Sequence, residues 1–240
     1  MDKKIFCFWT GENEVPEIRQ KSVQSLSNSG LEVCLVTSQT LENYVPEADL
    51  HPTYRNLSLV HRSDYLRAYF MHHFGGAYCD IKRVDFSWRP VFDQLAVNPD
   101  LIGAGYREIH RHGVANVHQT AQLMGSSRIQ LASSYVRWRW MQLNYSRLIG
   151  NCAFIFRPAT EFTQFWWEEV NARLDRVAPA LRKHPSTQPK ERMKTIYEGT
   201  ISSYPVPWSY LLGDVLQPLA LRYHRKILRS LPAPDFQNYQ

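Results

Sequence analysis

Long apolar runs are missing from this chain of 240 residues. No stretch approaches the roughly 18 uninterrupted apolar residues of a membrane span, so a helical membrane-spanning class is excluded. The N-terminal Met1-Asp2-Lys3-Lys4 leads into only about five apolar residues before Thr10-Gly11-Glu12, short of the apolar core of a signal peptide. The expected location is therefore the cytoplasm. Cysteine is scarce: Cys7, Cys34, Cys79 and Cys152 show no C-x-x-C spacing and no clustering with histidine, which argues against a zinc site or a disulfide framework and for buried reduced thiols. His110, His112 and His118 do not have the spacing of metal ligands and read as part of a solvated loop. The chain has no internal repeat, no low-complexity tract and no nucleic-acid motif. Nucleic acid is excluded as a partner although the net charge is +6, because the 28 basic residues are dispersed among 22 acidic ones.

With 44% hydrophobic and 21% charged residues, the composition is that of a folded protein able to bury a core without metal or disulfide staples. Length fits one domain over residues 1–240, read in two parts, 1–106 and 107–240, with no visible boundary between domains. The basic excess thickens in Arg137–Arg147, Arg182–Lys194 and Arg222–Arg229 and favours an anionic partner.

Apolar patterning predicts a first strand over Lys3–Trp9 and a second over Leu31–Val36. Between them a helix is expected over Pro16–Ser29, with Ile18, Val23 and Leu26 inward. Strand, helix, strand implies a parallel pair with a right-handed crossover. A short helix is expected over Leu41–Val45, then loop over Ala48–Leu57. Arg62–Phe74 is the clearest helix, capped by Ser63, with Tyr65, Leu66, Tyr69, Phe70 and His73 on one face and Gly75-Gly76 at its end. Further strands are expected at Leu101–Tyr106 and Cys152–Arg157. A helix should span Glu161–Leu174, with Phe162, Phe165, Trp166 and Val170 inward, and a last one Asp214–Tyr223. Glu108–Ser127 reads as a polar surface excursion, and Pro179–Pro189 as a flexible loop or lid. Trp138, Trp140 and Tyr145, interleaved with Arg137, Arg139 and Arg147, read either as packing of a short helix or as a surface for a saccharide or membrane. The alternation of strands and helices predicts an α/β fold with a mostly parallel sheet flanked by helices.

The chemistry concentrates in His61–Lys82. Asp64 and Arg67, three apart, are neighbours on one helix edge, and Asp80, just after an apolar strand, stands where ligands of open α/β sheets bind. Each alone has a plain reading, a helical ion pair or a solvated strand end. Together they suit a ligand that combines hydroxyls with phosphates.

Ser63-Asp64-x-x-Arg67, then Phe74-Gly75-Gly76-x-Tyr78, then Asp80 resembles the signature of the family 32 glycosyltransferases with a DXD sugar-binding motif and of the capsular polysaccharide synthesis proteins similar to them. Phe8-Trp9-Thr10-Gly11 is similar to their nucleotide-contacting loop. Gly150-Asn151-Cys152-Ala153-Phe154 with Arg157-Pro158-Ala159 is similar to their later Asn-bearing strand, and Tyr204–Trp208 with Gly213-Asp214 to the C-terminal Pro-Trp segment. The resemblance covers about residues 4–221. It implies a GT-A fold and transfer of a sugar from a nucleotide sugar, a UDP-sugar first of all, to a hydroxyl of a saccharide or lipid-linked saccharide in bacterial capsule or O-antigen synthesis. It also implies retention of anomeric configuration, with the departing phosphate as base.

Carried over, Asp64 and Arg67 hold sugar and ribose hydroxyls, Asp80 takes the first Asp-x-Asp position and Asn151 lines the sugar pocket. Phe8, Trp9 and Thr10 lie near the base; Trp208 and Arg62 complete the donor site. The chain departs from the family at Lys82, where a second acid binds Mn²⁺ or Mg²⁺. Either the Lys82 ammonium replaces the metal beside the diphosphate, helped by Arg62 or Arg83, or Asp80 assembles a metal site with Asp214 or Asp85. Asp214 is equally a candidate base or a helix cap. The competing class is a catalytically weak nucleotide-sugar-binding protein acting through partners, and a peripheral contact with the inner membrane face goes with a lipid-linked acceptor.

Overall fold

The structure is a computed structural model that describes residues 1–236. In chain order its elements are β1 (Lys4–Trp9), α1 (Glu17–Ser25), β2 (Glu32–Thr37), α2 (Leu59–His73), β3 (Gly76–Cys79), α3 (Arg89–Val97), β4 (Gly103–Arg107), α4 (Val117–Leu123), α5 (Arg128–Leu143), β5 (Ile149–Phe156), α6 (Glu161–Lys183), β6 (Ile196–Tyr197), β7 (Thr200–Ile201), α7 (Gly213–Arg222) and β8 (Ile227–Leu228). Six strands form one sheet in the order β2-β1-β3-β5-β4-β8. β1 pairs in parallel with β2 and β3, and β4 with β8, while β5 runs antiparallel to both its neighbours. The expected α/β class with a mostly parallel, helix-flanked sheet is present.

Side chains alternate across this sheet with the period of two that a pleated strand imposes. Phe6, Phe8, Tyr78, Phe154 and Phe156 enter one core with α2, α6 and α7. Ile5, Cys7, Ala77, Cys79, Ala153 and Ile155 enter the other, with Trp88 and α3. The first core is aromatic: Phe156 stacks on Phe162 at 4.5 Å, and Trp166 meets Phe154 edge-on at 5.5 Å. Cysteine supplies part of the second, as expected, and all four thiols are unpaired. Burial pushes the Cys7 thiol up to about 12, so it stays protonated.

Several boundaries differ from the sequence reading. The principal helix α2 begins three residues before Arg62, and its cap is Ser58, whose hydroxyl accepts from the His61 N–H; Ser63 is inside the helix. The apolar pattern before Arg62 is interrupted by Ser58, so the cap is visible only once the chain's exit from Leu57 is known. Of the residues assigned inward in the first helix, Leu26 is buried but Ile18 lies 57% exposed. Phe165 is also turned outward, against the Arg222 guanidinium 5.4 Å from its ring. α6 runs well past Leu174 and through Pro179 to Lys183, so the loop begins at His184. That loop is tied down, since Glu191 accepts from the N–H groups of Thr187 and Gln188 and from the Ser186 hydroxyl. The excursion Glu108–Ser127 contains α4, and the segment bearing Trp138 and Trp140 is the full helix α5, capped by Ser127 with Gln130 in a reciprocal capping box.

Candidate functional site

β1, β2 and β3 are parallel, so Thr10, Ser38 and Asp80 emerge at one edge of the sheet, and antiparallel β5 brings its first residues to the same edge. This is the carboxyl edge at which open α/β sheets bind ligands. α2 returns the chain to β3 through Gly75 and Gly76, at φ +64° and +86°. Those are left-handed backbone values that glycine adopts without a Cβ penalty. A Cβ on Gly75 would also collide with Pro158. The turn thus sets Asp80 opposite the helix that carries Asp64 and Arg67.

Arg67 is the hub. Its Nη2 donates to Asp80 Oδ1 at 2.9 Å, its Nη1 donates to the Asn151 carbonyl at 3.1 Å, and Nη1 lies 3.5 Å from Asp64 Oδ1. The guanidinium also stacks over the Tyr78 ring at 4.5 Å. Burial opposes its charge, but Tyr78, Asp80 and Asp64 outweigh burial and raise its pKa further, so it is a permanent cation. Burial pushes the Asp64 carboxyl up to about 7; Arg67 pulls against that and Asp80 adds to it. Asp64 therefore changes charge near neutrality while Arg67 does not.

Asp80 is held from two sides. Besides Arg67, the Tyr78 hydroxyl donates to Oδ1 at 2.8 Å, and Lys82 Nζ lies 4.0 Å from Oδ2. The Lys82 ammonium is buried, 3.5 Å from the Cys152 sulfur and 4.2 Å over the Phe236 ring. Phe236 reaches it because the C-terminal segment crosses the same edge: the Leu231 N–H donates to the Gly105 carbonyl and the Asp235 N–H to the Arg83 carbonyl. Cys152 is raised to about 11 by burial and by Asp80, with Lys82 opposing, so it faces Lys82 as a thiol.

A divalent cation does not fit this donor set. One Asp80 oxygen accepts from Arg67 and Tyr78, the other faces an ammonium, and among the described residues no second acid joins it as a ligand pair would need. Asp85 is instead 2.6 Å from Arg83. Among the described residues, no group of three or more His, Cys, Asp or Glu side chains gathers in a metal-holding arrangement, His110, His112 and His118 included. His118 Nδ1 lies 3.1 Å from the Leu131 carbonyl.

Asp214 sits in the first turn of α7, only 4% exposed. Neither of its carboxylate oxygens has a hydrogen-bond partner among the described residues, and Arg173 Nη1 stands 3.9 Å away. The side chain makes no capping bond, so the helix-cap reading falls: the cap position is Leu212, and Asp214, two residues further on, is already inside the first turn. Asn151 adjoins this turn, since a Cβ on Gly213 would stand 3.2 Å from its Nδ2, and the Asn151 side-chain oxygen is buried and unpartnered. Unpaired buried acceptors of this kind are costly. They mark the place where a hydroxyl-bearing ligand would supply donors.

The other donor-site candidates divide. Thr10 and Arg62 line a cleft of about 140 Å³ with Thr37, Ser38, Tyr54 and Leu66 at the ends of β1 and β2. Arg62 is anchored there by donating to the Leu57 and Arg55 carbonyls, so it does not reach Lys82. Phe8 is turned into the core against Phe70 and Tyr78 and presents no face to a base. Trp9 lies on the opposite face of the sheet, its Nε1 donating to the Asn13 carbonyl at 2.7 Å. Trp208 is half exposed beneath Arg192, 5.0 Å from its ring, and edge-on to His61 at 6.4 Å. His61 locks that segment in place. Its Nε2 lies 3.1 Å from the Pro207 carbonyl and so carries the proton, and Nδ1 accepts from the Tyr204 hydroxyl at 3.0 Å. Sequence reasoning had Tyr78 and Cys152 inside its motifs but gave them no part in the site, and it did not single out Phe236; only the fold brings Cys152 and Phe236 to Lys82.

The first third of the chain carries the family match. Residues 1–81 match the capsular polysaccharide synthesis protein family. The matched stretch contains Asp64, Arg67 and Asp80 and stops one residue short of Lys82. No curated protein matches the chain. Among solved structures it is similar to the crystal structure of mouse xyloside xylosyltransferase 1, apo form, at 8% sequence identity and a TM-score of 0.43, over 95% of this chain and 84% of that one.

Proposed function

We propose that this chain is a GT-A-type glycosyltransferase of bacterial surface polysaccharide synthesis, taking its sugar from a nucleotide sugar and giving it to a hydroxyl of a saccharide or lipid-linked saccharide. The observation that carries the reading is the chain Asp64–Arg67–Asp80–Lys82, fixed at the carboxyl edge of the sheet beside the Thr10–Arg62 cleft. Carboxylates at Asp64 and Asp80 suit sugar and ribose hydroxyls, and the cleft between the ends of β1 and β2 suits the nucleoside, a uridine first of all. Lys82 supplies the positive charge that a diphosphate leaving group requires. Transfer then proceeds without a divalent cation. The acceptor oxygen bonds to the anomeric carbon, the bond from that carbon to the diphosphate breaks, and the acceptor proton passes to the departing phosphate oxygen, with retention. Asn151 and Asp214, with their unpartnered acceptor oxygens, orient hydroxyls on the far side of Arg67.

The family match over residues 1–81 supports the surface-polysaccharide context. A second reading, a catalytically weak nucleotide-sugar-binding protein, draws on the Phe236 ring that covers Lys82. Transfer and donor hydrolysis assayed with UDP-sugars, in EDTA and then with Mn²⁺, separate the two. The proposal predicts turnover that survives EDTA. Tight donor binding without turnover under any acceptor favours the second reading, and complete loss in EDTA with full rescue by Mn²⁺ sinks the metal-free mechanism.

A further inference from the structure

From Ile109 to Thr160 the chain holds no aspartate or glutamate but six arginines. Within that stretch, α5 packs by one face only. Trp138 and Met141 enter a small cluster with Val114, Leu148 and Leu221, and the Leu131 carbonyl and the Ser134 hydroxyl face His118. The opposite face is apolar and uncovered. Ile129, Val136, Trp140 and Leu143, which recur with Ala132 at steps of three and four, are 84%, 67%, 57% and 74% exposed. At 1.5 Å per residue the stripe runs the whole helix, about 24 Å. Arg128 and Arg139 border it on one side and Arg137 on the other, and no acid lies within ion-pairing distance of Arg128, Arg137 or Arg139 among the described residues.

We propose that α5 docks this protein on an anionic lipid bilayer, lying in the interface plane with its apolar stripe among the acyl chains and its arginines on the headgroups. An exposed apolar stripe with cationic borders and a tryptophan is the pattern of an interfacial helix. A second copy of the chain is a poor occupant, since pairing two such helices sets arginine against arginine with no acid in the whole segment to offset it. The helix also packs on the element that carries Asp214: Trp138 and Met141 share a cluster with Leu221 of α7. The docking stands on this geometry alone. Its corollary, that the acceptor is carried on a lipid, rests on the proposed glycosyl transfer.

Co-sedimentation with extruded vesicles tests the docking. The full chain is expected to pellet with phosphatidylcholine–phosphatidylglycerol vesicles, to do so less at high salt, and to stay in solution with phosphatidylcholine alone. Arg128→Gln and Arg137→Gln should each weaken the partition about fivefold. Val136→Gln with Trp140→Gln should weaken it at least as much, with an unchanged circular dichroism spectrum, because both side chains already lie in solvent. Three outcomes overturn the proposal: no pelleting with anionic vesicles, partition indifferent to both sets of variants, or light scattering that shows a dimer dissolved by the Val136/Trp140 pair. UDP-sugar calorimetry on the same variants keeps the two claims apart, because donor binding should be unaffected by them, and its failure in the wild type would strike the proposed function and not the docking.

Discussion

Asp80 is the residue on which the proposed chemistry converges, and its side chain meets Arg67, Tyr78 and Lys82 at the edge of the sheet, outside the two apolar cores. Asp80→Ala should therefore lower transfer by about a hundredfold or more while leaving the circular dichroism spectrum and gel-filtration volume unchanged; retained activity would remove the site from this edge of the sheet. Asp64 gives a pH signature. Its carboxyl is raised to about 7 chiefly by burial, so it gains the charge that accepts donor hydroxyls as pH rises through neutrality. Donor affinity should climb between pH 6 and 8 in the wild type and lose that slope in Asp64→Asn. Of these residues, Asp64, Arg67 and Asp80 were legible in the sequence because their spacing on one helix and one strand end is local. Phe8 was not, because both faces of β1 are covered by core, and an aromatic at a strand end reads the same whether it packs inward or faces a ligand.

At the scale of elements, α2 is the member that organises the site, and its anchorage is polar. His61 is wholly buried between Ser58, Tyr204 and Pro207, and burial lowers its pKa to about 4 from an ordinary 6.5. A histidine held neutral contributes stability that is present above the unfolded value and lost as pH falls through the folded one. His61 should thus account for about 3 kcal/mol of acid destabilisation between pH 6.5 and 4, visible as a fall in Tm that is smaller in His61→Gln. Ser58→Ala should cost about 1 kcal/mol through loss of the cap, measured by urea unfolding. The helices were legible where apolar period and termini coincide, as in α2 after its first turn and in the first half of α6. The reading stopped short where a proline continues a helix, at Pro179, and where an apolar face has no core to meet, at Ile18 and Phe165. α5 belongs with these: its composition suggests packing, but only the fold shows which of its tryptophans, Trp138, packs and which, Trp140, does not.

Across the whole molecule the two faces of one sheet divide the labour. The aromatic face carries the mass of the core, and Phe154→Ala there should cost about 3–5 kcal/mol in chemical unfolding, with the midpoint shifted. The carboxyl edge carries the charges, drawing residues from both the 1–106 and the 107–240 parts, since Asp80 and Asn151 come from neighbouring strands of one sheet. The sheet class was readable from alternating elements; the antiparallel course of β5 was not, because strand direction follows from the long path through α4 and α5 that no local pattern encodes. That same path brings Cys152 against Lys82. Among the described residues no helix is long and apolar enough to cross a membrane, and α5 is where contact with a bilayer would be made.

Calorimetry of a UDP-sugar against the wild type and Lys82→Ala, both in EDTA, tests the central claim most directly. The account predicts binding by the wild type without any divalent cation and at least about a tenfold weaker affinity in Lys82→Ala, the loss of one charge-assisted contact to the diphosphate. Binding that appears only after Mn²⁺ is added, or an affinity indifferent to Lys82, would contradict it.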